Sequence, residues 1–504
     1  MSDESSLMRL ALWDGVLKLG GRASRVSRVS EVIETMVGAV PARKARLDPV
    51  EVARLRELTG ELIAAKPEAA AEYARFLGVK QRGLCLPEAG LSERLRGATI
   101  LVTGGTGCIG STLMAQLAQR QPGRLVCVSR GVTVGWPRQA TAEYLVGDVR
   151  DRARMDEIVA QVRPDVIFHV AAQRSPALAE VEVHRTVSTN VLGSRNVLAA
   201  AAAAGVPQVV CASTGKALRP YSPEIYTASK RAAEWTASVA AASGELLVSA
   251  ARFTHVLDNS IVYERLLDWA DADAEAHADG GHRAGADPST GEAAVVRLHG
   301  SSIAFYVQSA LESAQLLLIA YIGATPGEFR VHAITDLGWP VSLIDVALGV
   351  LTSKRSRTPV YISGYDPGYE EVPFPGLYDP ATAGDVSPLL NAFEAAALVG
   401  SPCPLVDAFK LEMAHDPVSL KLLNGLNSVC ERTADPAEVR CSLDDLSWSL
   451  LDATLAGATR NALNRSAKLI CQHEERMTPV HRRVTEAIKS HACAATRQTQ
   501  IDIA

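Results

Sequence analysis

Thr103-Gly104-Gly105-Thr106-Gly107-Cys108-Ile109-Gly110 is the stretch on which the fold turns. It follows a short apolar run over 99–103 and opens an apolar helical pattern from about Ile109. Gly104 allows a sharp turn, Gly107 lets backbone N–H groups approach a pyrophosphate, and Gly110 lets the helix lie close to the strand. The helix N-terminus then favours phosphate charge. Thr106, Cys108 and Ile109 complete the loop as expected cofactor contacts.

Working outward, apolar runs at 125–129, 143–146, 166–170, 208–212 and 246–252 read as strands, with a long helix at about 183–204. Strands alternating with helices mean a parallel sheet covered on both faces. The expected class is α/β: a Rossmann-type doubly wound parallel sheet with a smaller substrate-binding region and helical N- and C-terminal extensions. The expected divisions are 1–96 (helical extension), 97–380 (nucleotide-binding domain with substrate region) and 381–504 (mainly helical). In the first, Asp48-Pro49 is a helix start, and Leu55, Leu58 and Leu62 form one apolar stripe.

The second strand ends Val128-Ser129-Arg130, with no carboxylate for a ribose 2′-hydroxyl. Arg130 can pair with a 2′-phosphate, so the expected cofactor is NADP, with NAD as the alternative. Asp148 is placed against the adenine, with Val149 beside it, and Ala171, Ala172 and Asn190 along the cofactor.

Ser213-Thr214-Gly215-Lys216 follows the fifth strand, and Tyr226-Thr-Ala-Ser-Lys230 lies ten residues on. The i, i+4 spacing puts Tyr226 and Lys230 on one helix face. A free tyrosine titrates near ~10. A nearby ammonium and a cationic nicotinamide ring would favour the phenolate, which could accept a hydroxyl proton while hydride leaves.

From about residue 97 to 371 the chain resembles the polysaccharide-biosynthesis branch of extended short-chain dehydrogenases/reductases, which holds nucleotide-sugar 4,6-dehydratases and epimerases. The marks are the glycine loop, His169-Val170-Ala171-Ala172, Thr189-Asn190-Val191-Leu192-Gly193, S-T-G-K with Y-T-A-S-K, Arg252-Phe253-Thr254-His255 and the segment 364–371. The resemblance implies that Thr214 bonds the substrate hydroxyl, that Tyr226 and Lys230 run the redox step, and that Lys216 stands where the family has a general base. The departures are informative. The family's S-T-D-K acid is replaced by Gly215, and the spacing from Lys216 to Tyr226 is two residues longer. R-F-G-N has become R-F-T-H, which places His255 near the substrate as a replacement acid/base. R-P-G-E-K has become Asp366-Pro367-Gly368-Tyr369-Glu370, without the cations expected against a diphosphate.

Composition limits the alternatives. A net charge of −5 over 504 residues gives no basic field for nucleic acid. The basic stretch 22–46 reads as a solvated helical face. Nine cysteines form no C-x-x-C pair, which argues for a reducing compartment and against a metal site. No secretory pattern opens the chain, and its apolar stretches are too short for a bilayer. A cytoplasmic homo-oligomer with no membrane or nucleic-acid partner is expected. The Ala/Asp/Gly/His-rich stretch 270–292 reads as a mobile surface loop or lid, with His277 and His282 a weaker metal pair. His473-Glu474-Glu475-Arg476 lacks H-E-x-x-H spacing and reads as a helix face. The leading expectation is an NAD(P)-dependent epimerase or dehydratase that transiently oxidises a ring hydroxyl of a nucleotide-linked sugar. The alternatives are an NADP-dependent dehydrogenase or ketoreductase on a nucleoside, cyclitol or other non-diphosphate substrate, and a cofactor-binding scaffold without turnover.

Overall fold

Uninterrupted apolar runs can become strands only where both faces are covered, and β1 (Thr99–Thr103) meets that condition: Ile100, Leu101 and Val102 have no exposed surface. The computed structural model describes residues 20–131, 137–278, 294–365, 386–391, 393–411, 416–471 and 478–502. Among them, β1 shares one sheet with β2 (Arg124–Ser129), β3 (Glu143–Val146), β4 (Val166–His169), β5 (Gln208–Thr214), β6 (Leu247–Phe253), β7 (Arg330–Ile334), β8 (Leu398–Val399) and β9 (Val406–Lys410). Side by side the order is β3-β2-β1-β4-β5-β6-β7-β9-β8. The strands from β3 to β7 pair in parallel, whereas β9 and β8 add antiparallel to that edge. The chain reverses its direction of growth between β1 and β4. Open α/β sheets bind ligands beyond the strand C-termini at such a point.

Three helices matter most for the site: α1 (Cys108–Ala118), α2 (Ile225–Ala242) and α3 (Pro436–Gly457). The helix expected at 183–204 is broken. A π-helical turn, Ser188–Leu192, separates Val183–Val187 from Gly193–Ala203. The region after 380 is mainly helical, yet it also supplies β8 and β9, runs too short to stand out by periodicity. On α3, Val439, Leu443, Leu446 and Leu450 recur every three or four residues as a buried stripe, and Asp435 caps its start before Pro436.

The chain forms two compact units whose limits differ from the expected divisions. The larger takes the described residues of 80–258, 308–338 and 367–504, including the whole sheet. Residues 80–96 belong here because Arg94 bonds Gln208 (2.8 Å), Leu84 N–H donates to Gln315 (2.7 Å) and Arg82 pairs with Glu312 (3.0 Å). The smaller takes those of 1–79, 259–307 and 339–366. In it, Asp48 and Glu51 form a capping box on the helix Pro49–Ala65, and Leu55 packs with Val40, Val295 and Tyr361. The Tyr361 hydroxyl donates to the Pro41 carbonyl, and the parallel strands Val296–Leu298 and Val360–Ile362 lie beside each other. The described N-terminal helices up to residue 78 are thus part of the smaller unit.

Of the stretch 270–292, residues to 278 continue the helix Ile261–Ala278. The remainder, with His282, lies outside the described residues, as do the His277 side chain and segments 366–371 and 473–476. Among the described residues no helix is long and apolar enough to cross a membrane, and no cluster could hold a metal ion.

Two helical glycines give opposite expectations. A Cβ at Gly349 would lie 2.3 Å from the Tyr73 Cβ, whereas Gly60 has open space around it. Gly349→Ala should destabilise the smaller unit by about 1–3 kcal/mol through overpacking. Gly60→Ala should stabilise it by roughly 0.5–1 kcal/mol. Chemical denaturation of both variants reads the two signs.

Candidate active site

The glycine turn closes as the sequence leads one to expect. Gly104 has φ +74, and its N–H donates to the Val128 carbonyl (2.8 Å). A Cβ there would meet the Ala171 nitrogen at 2.7 Å, and one at Gly110 would meet the Gly104 oxygen at 2.2 Å. Both glycines are therefore demanded by the chain itself. Gly107, the N-cap of α1, differs: the nearest atom to an added Cβ is the Gly104 oxygen at 3.6 Å. The backbone in front of the α1 N-terminus is open at Gly107, a cradle that a side chain would fill. The donor set, a helix N-terminus with a bare backbone approach, fits a pyrophosphate. Thr106 and Ile109 are half-buried beside it, and Cys108 is buried.

At the end of β2, Arg130 is exposed and Ser129 donates to the Gly131 carbonyl (2.8 Å). Asp148 is held by Arg150 through bonds of 2.6–3.0 Å. Burial opposes its ionisation, but Arg150 and then Arg130 outweigh it and keep the carboxyl below its usual range. Val149 is buried beside it, while Ala171 and Ala172 stay at least partly open at the end of β4.

Asn190 is bonded within the chain. Its Oδ1 accepts the Gln173 N–H (2.8 Å), and its Nδ2 donates to the Gln173 carbonyl and the Ser229 hydroxyl (3.0 Å each). Through these bonds Asn190 ties the loop after β4 to α2. The π turn carries it there. Behind it, His169 bridges the Thr103 and Ser194 hydroxyls (2.8 and 3.0 Å).

Thr214, Tyr226 and Lys230 come together at the C-terminal end of β5. The Thr214 hydroxyl hydrogen-bonds to Tyr226 and accepts the Lys216 N–H (3.3 Å). Lys230 Nζ donates to the Ala212 carbonyl (2.8 Å). In the polypeptide alone the phenol is not acidified as expected. Burial pushes Tyr226 above its ordinary value, and the Thr214 bond and Arg174 only partly offset this. Burial also lowers Lys230.

Lys216 pairs with Glu224 (3.1 Å), a carboxylate that sequence reasoning passed over. Burial opposes its charge, but Lys216 and Arg219 hold it below the usual range, and its Oε1 has no hydrogen-bond partner. A Cβ at Gly215 would meet Leu389 Cδ2 at 2.6 Å, so the family's acid would fit there only if the leucine methyl shifted. The C-terminal region fills that space with a methyl group. His255 is half-buried, and burial pushes it down to about 4, so it is uncharged at neutral pH.

Beneath these groups lies an ionic cluster. Arg252 has no exposed surface and pairs with Glu234 and Glu394 (2.7 Å each). Arg231 also bonds Glu394 (3.1 Å), and Ser213 donates to Glu234 (2.6 Å). The one available signal was an arginine inside the apolar run of β6, which cannot be buried without carboxylates. Nothing local marked Glu394.

A doubly wound sheet with a glycine turn at its reversal point, and a Tyr–Lys pair on the helix after β5, defines a short-chain dehydrogenase/reductase. Residues 100–261 match the family described as polysaccharide biosynthesis protein, and over that segment the chain is similar to the extended members of that branch. It is 25% identical over 312 residues to the probable polysaccharide biosynthesis protein EpsC of Bacillus subtilis (strain 168), covering 58% of this chain and 48% of that one. It is 31% identical over 144 residues to the inverting UDP-N-acetylglucosamine 4,6-dehydratase of Campylobacter jejuni (27% and 42% covered). It is 37% identical over 123 residues to the UDP-glucose 4-epimerase of Rhizobium leguminosarum bv. trifolii (24% and 36% covered). The chain spans about half the length, or less, of the curated relatives it matches.

Gly215→Asp should be strongly destabilising alone and tolerated together with Leu389→Ala, a coupling that thermal unfolding of the single and double variants measures. A second expectation concerns pH. Burial pushes His169, His255 and His332 down to about 3, 4 and 4, against about 6.5 in an unfolded chain. As pH falls below 6.5 the unfolded chain takes up protons that the folded one refuses. Stability should therefore fall from about pH 6.5 to 4, by about 1.4 kcal/mol per pH unit for each histidine. Urea midpoints at pH 7 and 5 check the sign.

Proposed function

We propose that the protein is an NAD(P)-dependent enzyme that modifies a nucleotide-linked sugar by transient oxidation of a ring hydroxyl. The observation that carries the reading is the Thr214–Tyr226 hydrogen bond with Lys230 one turn on, at the end of β5. Gly104, Gly107 and Gly110 would hold the cofactor pyrophosphate at the start of α1. Ser129 and Arg130 would take its ribose, with NADP favoured because Arg130 stands where NAD enzymes place a carboxylate. When bound, the nicotinamide ring supplies a reversible hydride acceptor. Thr214 would orient the substrate hydroxyl and Tyr226 would accept its proton, the shift toward phenolate needing more than the chain itself provides.

The related dehydratase and epimerase support a ketone intermediate, which acidifies the adjacent C–H. Lys216 or His255 would move that proton. Gly215, with the Leu389 methyl beside it, favours epimerisation over dehydration, because the family's acid is missing there. The same feature supports the second reading, a net NADP-dependent oxidation or reduction of a sugar without a diphosphate.

Incubation with UDP-, GDP- and dTDP-sugars in deuterated water, with NADP and with NAD, separates these readings by product mass. Deuterium uptake without loss of water is the expected result, and Tyr226→Phe should abolish it. Loss of water would establish a dehydratase despite Gly215. An unchanged panel would overturn the nucleotide-sugar reading, and net NADPH formation from nucleosides or small sugars would then support the second.

A further inference from the structure

The first turn of any helix has four N–H groups without intrahelical partners. On α2, which carries Tyr226 at its second position, the residue before the helix does not help. Glu224 makes no side-chain cap, and its Oε2 accepts from Lys216 (3.1 Å) and Thr227 (2.7 Å). The cap comes from elsewhere. Glu180, at the end of the helix Pro176–Val181, accepts the Ile225 N–H through Oε1 (2.8 Å). Its Oε2 is held by Arg440 Nη2 of α3 (2.7 Å).

α3 touches the same loop again one turn further on. Tyr221 donates to Asp444 (2.5 Å) and stacks on Trp448 with ring centroids 4.0 Å apart. Between α2 and α3 in sequence, Asn391 donates to the Leu218 carbonyl (2.6 Å). Asn391, Arg440, Asp444 and Trp448, which make these contacts, all lie beyond the segment matched by the family model.

We propose that α3 is a positioning element for the redox centre: Arg440, acting through Glu180, fixes the start of α2 and with it the Tyr226 hydroxyl. The assignment rests on the reading of Tyr226 as the redox acid/base. Arg440 and Glu180 touch neither that hydroxyl nor Lys230; they act by orientation. A carboxylate that caps a helix is stabilised by a cation on its other oxygen, so removing Arg440 loosens Glu180 and frees the Ile225 amide.

The test uses the full chain with three variants: Arg440→Met, Arg440→Lys and Glu180→Gln. Two quantities are read: amide exchange of peptides covering 98–118 and 220–230, and initial rates with whichever sugar nucleotide the panel shows to be turned over. Arg440→Met should accelerate exchange in 220–230 and leave 98–118 and NADP affinity unchanged. It should lower kcat by about 10- to 100-fold with KM nearly constant, the scale of a small misplacement near the chemistry. Arg440→Lys should restore most of both quantities. Glu180→Gln, which keeps an acceptor for Ile225, should fall between. The proposal is overturned if Arg440→Met leaves exchange in 220–230 at the wild-type rate, or accelerates 98–118 equally, since the latter is general destabilisation. If the wild-type protein turns over no sugar nucleotide, the function reading fails, and exchange alone decides whether Arg440 orders the start of α2.

Discussion

Arg252 is a guanidinium without exposed surface in the middle of a sheet, and the neighbouring structure follows from the need to neutralise it. Burying an ion costs several kcal/mol even after relaxation. The cost is met by Glu234 from α2 and Glu394 from the C-terminal region, which in turn share Arg231. Two cations balance two carboxylates. Because Glu234 also accepts from Ser213 and Glu394 also caps the Asn391 turn, the cluster joins β5, β6, α2 and the chain near residue 390 into one body. Loss of one member would leave a buried charge, which is far more damaging than replacing the whole set by apolar groups.

The catalytic groups sit on top of that body. Ser213 is anchored below, Thr214 faces the tyrosine, and Gly215 is closed off by Leu389, all within three consecutive residues. On the opposite side, Asn190 ties the loop after β4 to Ser229 of α2. Tyr226 is thus held between Thr214 on one side and the packing set by Ser213, Leu389 and Asn190, as a site of this precision requires.

The alternation of strands and helices and the glycine turn were legible in the sequence because each depends on neighbours a few residues apart. The turn needs Gly104 beside its own strand, and the Tyr226–Lys230 pair needs only helical spacing. Arg130, Asp148 and Lys216 could be named for the same reason. What escaped the sequence is set by distant residues. That Gly215 is closed by Leu389, that Arg252 is balanced by Glu394, and that Asn190 is consumed by Gln173 and Ser229 are facts of packing with no local signature. The joining of the N-terminal helices to segments 259–307 and 339–366 likewise depends on pairs such as Leu55 with Val295 and Tyr361. The π turn at 188–192 has no periodic signal at all.

The contacts of α3 also have a meaning for how the molecule is made. Tyr221 and Asp444 are 223 residues apart in the chain, and Glu180 and Arg440 are 260 apart. At a synthesis rate of ~5–20 residues per second, roughly 10 to 45 s separate the emergence of the helix bearing Tyr226 from that of its cover. Strands β1 to β6 are complete soon after that helix. During synthesis the glycine turn can therefore form while the start of α2 still waits for the Arg440 that holds its capping Glu180.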